Sequence, residues 1–140
     1  MSTITISSAI FDQLVQHARA ELPNECCGYI TGKGSECLTV YEMTNVDASP
    51  VHFSFEPKEQ FSVIKAARQK GEVPLVVYHS HPESPARLSN EDLRLLTDPE
   101  MVYAIISLDA DEPVINAYQI VDGTVKEVII NKEDYNVTRK

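Results

Sequence analysis

The sequence predicts an α/β fold, a mixed β-sheet with flanking helices, and three observations carry that reading. Two amphipathic stretches, about residues 8–21 and 57–70, alternate with short runs rich in β-branched residues. The run Pro74-Leu-Val-Val-Tyr78 is continuously apolar and too short for a helix, so it reads as a strand covered on both faces. Three further apolar runs end the chain, the last two separated by Asp122-Gly123, a strong hairpin turn. Strands interleaved with two long helices and finished by a meander imply a mixed sheet with helices packed on it.

Taken in order, residues 2–6 alternate and form a short strand. From Ser8 to about Glu21, Ile10, Leu14, Val15 and Ala18 recur at helical spacing, and Pro23 closes that helix. Cys26 to Thr31 and Cys37 to Val46 are two strands joined around Gly32-Lys33-Gly34, where glycine admits positive φ. His52 to Phe55 forms a further short strand. Pro57 suits the first turn of a second helix that runs to about Lys70, with Phe61, Ile64 and Ala67 facing inward and Gly71 as its stop.

The buried strand 74–78 then delivers His79-Ser80-His81 at its carboxyl end. A loop holding Pro82 and Pro85 leads to Ser89-Asn90-Glu91-Asp92, after which Leu93, Leu95 and Leu96 suggest a short helix ended near Pro99. Strands follow over Met101–Leu108, Val114–Val121 and Val125–Ile130, and about residues 131–140 form a polar tail.

At 140 residues, with 43% hydrophobic and 24% charged content, the chain fits one domain over residues 1–140 with one core. The opening MSTITISS has no basic region, and the apolar runs are too short to cross a bilayer, so a cytoplasmic protein with no membrane partner is expected. Three cysteines, two of them adjacent at Cys26 and Cys27, make a poor disulfide framework. A net charge of −9 argues against a phosphate-backbone partner, so nucleic acid is excluded.

His79 and His81 stand two apart on a strand, so both side chains leave the same face and can grip one ion, while Ser80 points away. A catalytic zinc takes three protein ligands and keeps a fourth position open, so a third donor is required. Asp92, at the start of the short helix, is the candidate. Amide hydrolysis also needs a group to move protons, and Glu25, a charge just before an apolar strand, is the candidate for that. Each signal has a plainer reading: two imidazoles on a solvated strand face, a capping box for Ser89 and Asp92, and an ordinary turn residue for Glu25.

Together these residues resemble the JAMM metalloproteases, or MPN-plus domains, whose pattern is a Glu followed at a distance by His-x-His-x7-Ser-x2-Asp. Glu25, His79, His81, Ser89 and Asp92 match every element, and the resemblance covers essentially the whole chain. It implies an MPN fold similar to that of cytidine deaminases, with zinc held by His79, His81 and Asp92. It also implies Glu25 hydrogen-bonded to the zinc's water and Ser89 stabilising the oxyanion.

The resemblance further implies a zinc peptidase that cuts an amide bond next to the carboxyl-terminal Gly-Gly of a small ubiquitin-like or sulfur-carrier protein. A deubiquitinase-like isopeptidase and a non-catalytic scaffold are the alternatives, and intact ligands argue against the scaffold. An extended tail could add to a sheet edge by main-chain hydrogen bonds. Residues 82–88 are expected to wall the cleft, with Arg87 available to a carboxylate.

Overall fold

The computed structural model describes residues 2–133. Its elements, in chain order, are β1 (Thr3–Ser7), α1 (Ser8–Ala20), β2 (Cys27–Lys33), β3 (Glu36–Met43), α2 (Pro57–Gln69), β4 (Val73–His81), α3 (Asn90–Leu95), β5 (Val102–Ser107), β6 (Val114–Val121) and β7 (Thr124–Glu133). Local chemistry sets the ends of several. Ser7 caps α1 by accepting from the Ile10 amide at 3.1 Å. Pro57 opens α2, Glu56 caps it, and Gly71 at φ +71° turns the chain out of it. Asp122 and Gly123 both take positive φ, as a tight two-residue hairpin requires.

The strands run β1-β3-β2-β4-β5-β6-β7 and close into a barrel, because β7 returns to pair with β1. The sheet is mixed: β1 with β7 and β4 with β5 are parallel, whereas β2 pairs antiparallel with β3 and β4. Between β1 and β3 the ladder is one pair, Thr5 with Glu36.

Strand β4 lies at the centre and sorts its side chains by pleat. Val76 and Tyr78 join the cluster that buries Ile10, Leu14 and Ala18 of α1. Val77 joins a second cluster with Tyr29, Tyr103 and Val63 of α2. Continued two and four residues further, the Val77 side of the strand becomes the side of His79 and His81.

Several expectations are corrected. In α2 the inward residues are Val63 and Ala67, while Phe61 is 74% and Ile64 42% exposed. The helix docks through an i, i+4 pair, and Phe61, two positions before Val63, lies about 200° round the axis. Helix α3 buries Asp92, whereas Leu93 and Leu95 are exposed. His52 to Phe55 does not extend as a strand: one bridge links Asn45 to Phe55, and the Phe55 ring stacks on Tyr29 at 4.9 Å. Asn131, Lys132 and Glu133, expected in a polar tail, pair with β1 instead, and the rest of that expected tail, residues 134–140, lies outside the described residues.

Candidate active site

Strand alternation brings His79 and His81 to one face, with their Nε2 atoms 3.2 Å apart. The third donor arrives through a helix start. Ser89 caps α3, its Oγ accepting from the Asp92 amide at 3.0 Å, while the Ser89 amide donates to Asp92 Oδ2 at 3.0 Å. That same Oδ2 lies 3.1 Å from each histidine Nε2. The capping box therefore forms in full alongside the convergence of the three donors. One oxygen serves both, and it is the cap that aims it.

His81 Nδ1 lies 2.9 Å from the Pro85 carbonyl oxygen, which only a ring N–H can satisfy. In the neutral ring Nε2 is then a lone pair turned toward Asp92. With Asp92 ionised, no placement of ring hydrogens satisfies all three contacts: two lone pairs or two N–H groups still face each other in a buried space. A cation satisfies every contact at once. Separations of 3.1–3.2 Å also approach the roughly 3.3 Å edge of a tetrahedron built on bonds of about 2.0–2.1 Å. His79, His81 and Asp92 are all buried and form a group able to hold a metal ion.

The electrostatics agree. Burial would raise the Asp92 carboxyl, but the two imidazoles and the Ser89 amide override it and hold the group well below the usual carboxylate range. Burial pushes His79 down, whereas Asp92 and the Pro85 carbonyl outweigh burial and raise His81. The site is built to hold positive charge between these side chains.

Glu25 enters from the residues before β2. The Cys26 amide donates to Ser80 Oγ at 2.7 Å and the Ser80 amide donates to the Cys26 carbonyl at 3.1 Å, which lays this segment beside the end of β4. The Glu25 side chain is buried, and its Oε1 has no hydrogen-bond partner among the described residues. Burial pushes its carboxyl up to about 8, with His81 opposing the rise and Asp92 and Glu91 adding to it. A carboxyl near His81 with a free oxygen can take up and release a proton near neutral pH.

Ser89 is exposed at the rim, and its hydroxyl hydrogen is not used by the cap. The loop 82–88 touches the site through Pro85, whose carbonyl orients His81, and the Ala86 carbonyl accepts from Tyr118 at 2.7 Å and Asn116 at 3.0 Å, fixing the loop on β6; none of these residues lines the cavity beside Asp92. Arg87 is exposed. Cys26 and Cys27 are buried, burial pushes the Cys26 thiol up to about 12, and neither sulfur belongs to the group of donors that could hold an ion among the described residues.

Sequence reasoning missed Phe53, whose ring stacks on His79 at 4.8 Å. The alternation His52-Phe53-Ser54-Phe55 resembled a strand, and nothing in it marked one ring for the imidazole. Beside Asp92 opens a cavity of about 380 Å³, lined among others by Tyr29, Phe53, Phe55, Leu96 and Tyr103.

The profile of prokaryotic homologs of the JAB domain matches residues 7–121. The chain is 35% identical over 131 residues to the CysO-cysteine peptidase of Mycobacterium tuberculosis, covering 91% of this chain and 90% of the relative. It is 33% identical over 116 residues to the desampylase of Haloferax volcanii, covering 77% and 83%. Among solved structures, a protein from Desulfitobacterium hafniense superposes with a TM-score of 0.87 at 39% identity, covering 98% of this chain and 97% of that one. A JAB1/MPN domain protein from Archaeoglobus fulgidus shares the fold at a TM-score of 0.61 and 20% identity, covering 93% and 99%. A profile match across most of the chain, with named peptidases similar along almost all of it, shows that this chain belongs to the prokaryotic JAB branch of the JAMM family and is a peptidase.

Proposed function

We propose that the protein is a zinc-dependent peptidase that hydrolyses the amide bond following the carboxyl-terminal Gly-Gly of a small ubiquitin-like or sulfur-carrier protein. The observation that carries the reading is the convergence of His79, His81 and Asp92 beside a buried carboxyl with one oxygen that no group among the described residues claims.

His79, His81 and Asp92 would hold the ion. Zinc, when bound, supplies Lewis acidity and makes water a stronger acid. The remaining work falls to the chain. Glu25 accepts the proton of the attacking water and returns it to the departing nitrogen. With a cation held by the neighbouring ligands, the Glu25 carboxyl would fall from its raised value toward neutrality, where transfer in both directions is efficient. Ser89, its oxygen engaged by the Asp92 amide, donates its hydroxyl hydrogen toward the carbonyl oxygen as negative charge develops there. Phe53 holds the His79 ring in plane and keeps water from one side of it. The aromatic cavity beside Asp92 offers the substrate an apolar anchor.

The substrate class rests on the relatives, whose names include a CysO-cysteine peptidase and, in Thermus thermophilus, a probable TtuB-protein conjugate cleaving protease. The test is to incubate the zinc-loaded protein with carriers bearing carboxyl-terminal extensions and to read the product masses. Cleavage after Gly-Gly is expected, and replacing the penultimate glycine by valine should abolish it. Efficient cleavage of unrelated unstructured peptides, with no preference for a carrier tail, would overturn the substrate assignment.

A further inference from the structure

The loop between β3 and α2 is tied down by one buried side chain, Asn45. Its Nδ2 donates to the Glu25 carbonyl at 3.1 Å and to the His52 carbonyl at 3.0 Å. Its Oδ1 accepts from the Asp47 amide at 3.1 Å and the Ser54 amide at 3.3 Å. All the donors and acceptors of one neutral amide are thereby used.

The same loop holds the other half of the Glu25 main chain, since the Glu25 amide donates to the Ser49 carbonyl at 2.8 Å. Glu25 precedes the first residue of β2, so this loop stands in for a sheet ladder at that residue. The loop also carries Phe53, which stacks on His79. Within it Ala48 adopts φ +46°, a conformation that non-glycine residues rarely take and that persists only where surrounding bonds enforce it.

We propose that Asn45 is a positioning residue for the hydrolytic reaction, its amide fixing the Glu25 main chain and the Phe53 segment in one relation so that carboxyl and metal site meet the substrate together. The proposal rests on the reading of Glu25 as the proton-transfer group. Only a neutral side chain with two hydrogens and a two-lone-pair oxygen fits this seat. Aspartate would set an oxygen against two carbonyl oxygens, and glutamine adds a methylene to a site already closed by four bonds.

The test uses the zinc-loaded full chain acting on a ubiquitin-like carrier extended past Gly-Gly by a short peptide. Asn45→Ala removes all four bonds, and Asn45→Asp keeps the two Oδ1 bonds while losing donation to Glu25 and His52. Both are expected to lose roughly 10–10²-fold in kcat, the effect of a small misplacement of a reacting group, with KM little changed and zinc near one per chain. Hydrogen exchange should accelerate at the Glu25, Asp47 and Ser54 amides in Asn45→Ala and at the Glu25 amide in Asn45→Asp, and in both it should stay unchanged along β5. Val51→Ala, at an exposed position of the same loop, should leave turnover and exchange as they are.

Combining Asn45→Ala with Glu25→Gln should lower kcat no further than Glu25→Gln alone, because a positioning residue has nothing to act on once its target is gone. Should Asn45→Ala fail to fold, Asn45→Asp carries the same comparison. Wild-type kcat in folded Asn45 variants, or full additivity in the double variant, overturns the inference while an inactive Glu25→Gln leaves the Glu25 assignment standing. Wild-type turnover in Glu25→Gln itself removes the assignment on which the inference rests.

Discussion

The Nδ1 atom of His81 sits 2.9 Å from the carbonyl oxygen of Pro85, four residues further along the chain. A loop carbonyl thus decides which imidazole nitrogen keeps its lone pair, and it leaves Nε2 turned toward Asp92. In the proposed zinc site, metal affinity would depend on that bond as well as on the ligands. Purified protein is expected to carry about one zinc per chain, with one position open. His79→Ala and His81→Ala should each lose the metal by elemental analysis while keeping most of the fold by circular dichroism. Zinc at 1,000-fold above its dissociation constant should stabilise the parent by about 4 kcal/mol, seen as a rise in Tm that a chelator reverses.

Glu25 and Asp92 should separate cleanly. Glu25→Ala is expected to keep zinc and lose roughly 10²–10⁴-fold in kcat with little change in KM, the usual worth of general acid and base catalysis. Asp92→Ala removes a ligand and half of the α3 capping box together, so metal, activity and some stability should fall in concert. A Glu25→Ala protein that loses zinc as readily as Asp92→Ala would show that its role is wrongly assigned.

A pH dependence follows from His17, buried on α1 with its Nδ1 2.7 Å from the Tyr78 hydroxyl. Burial lowers its pKa, and the opposing pull of Glu42 and Glu21 is too weak to restore it. The unfolded chain therefore takes up the proton more readily than the folded one. Stability from the neutral ring is present above about pH 6.5 and is lost as pH falls through that value toward the lowered folded one. His17→Gln keeps a polar partner for Tyr78 and does not titrate, so its Tm should vary less between pH 7 and pH 5 than the parent's.

Gly28 marks a close approach of another kind. A Cβ there would collide with the Tyr78 ring and the Tyr41 carbonyl oxygen. Gly28→Ala should destabilise the protein by about 1–3 kcal/mol, measured by denaturant unfolding, because neither a buried ring nor a strand backbone can yield cheaply. The same change at Gly34, where nothing crowds the added carbon but φ is +61°, tests backbone strain by itself.

Much of this was legible in the sequence because it is periodic or ordered. Ile10, Leu14, Val15 and Ala18 repeat at helical spacing and are buried as expected. His-x-His on a buried strand fixes a common face, and Ser89 with Asp92 is both a capping box and part of the family pattern. What was not legible depends on docking. The phase of α2 is set by where Val63 meets Val77 and Tyr103, and a mixed row of Phe61, Val63 and Ile64 does not announce it. Asn45 left no trace, since a lone asparagine in a loop reads as a turn residue until the carbonyls around it are seen. Barrel closure was equally hidden, because β1 reaches β7 from the opposite end of the chain.

That closure bears on how the protein avoids pairing with other chains. Strand edges are sticky, because their unpaired amides and carbonyls invite an extended chain to add to them. Returning β7 to β1 hides both outer strands, so the enzyme presents few sites for runaway self-association. The single-pair joint between β1 and β3 leaves the outer side of β3 beyond Glu36 without a β1 partner. Met43, at the far end of β3, pairs with Cys27, which in turn pairs with His79. The stretch of β3 that β1 leaves unpaired is thereby joined through β2 to the strand that carries His79.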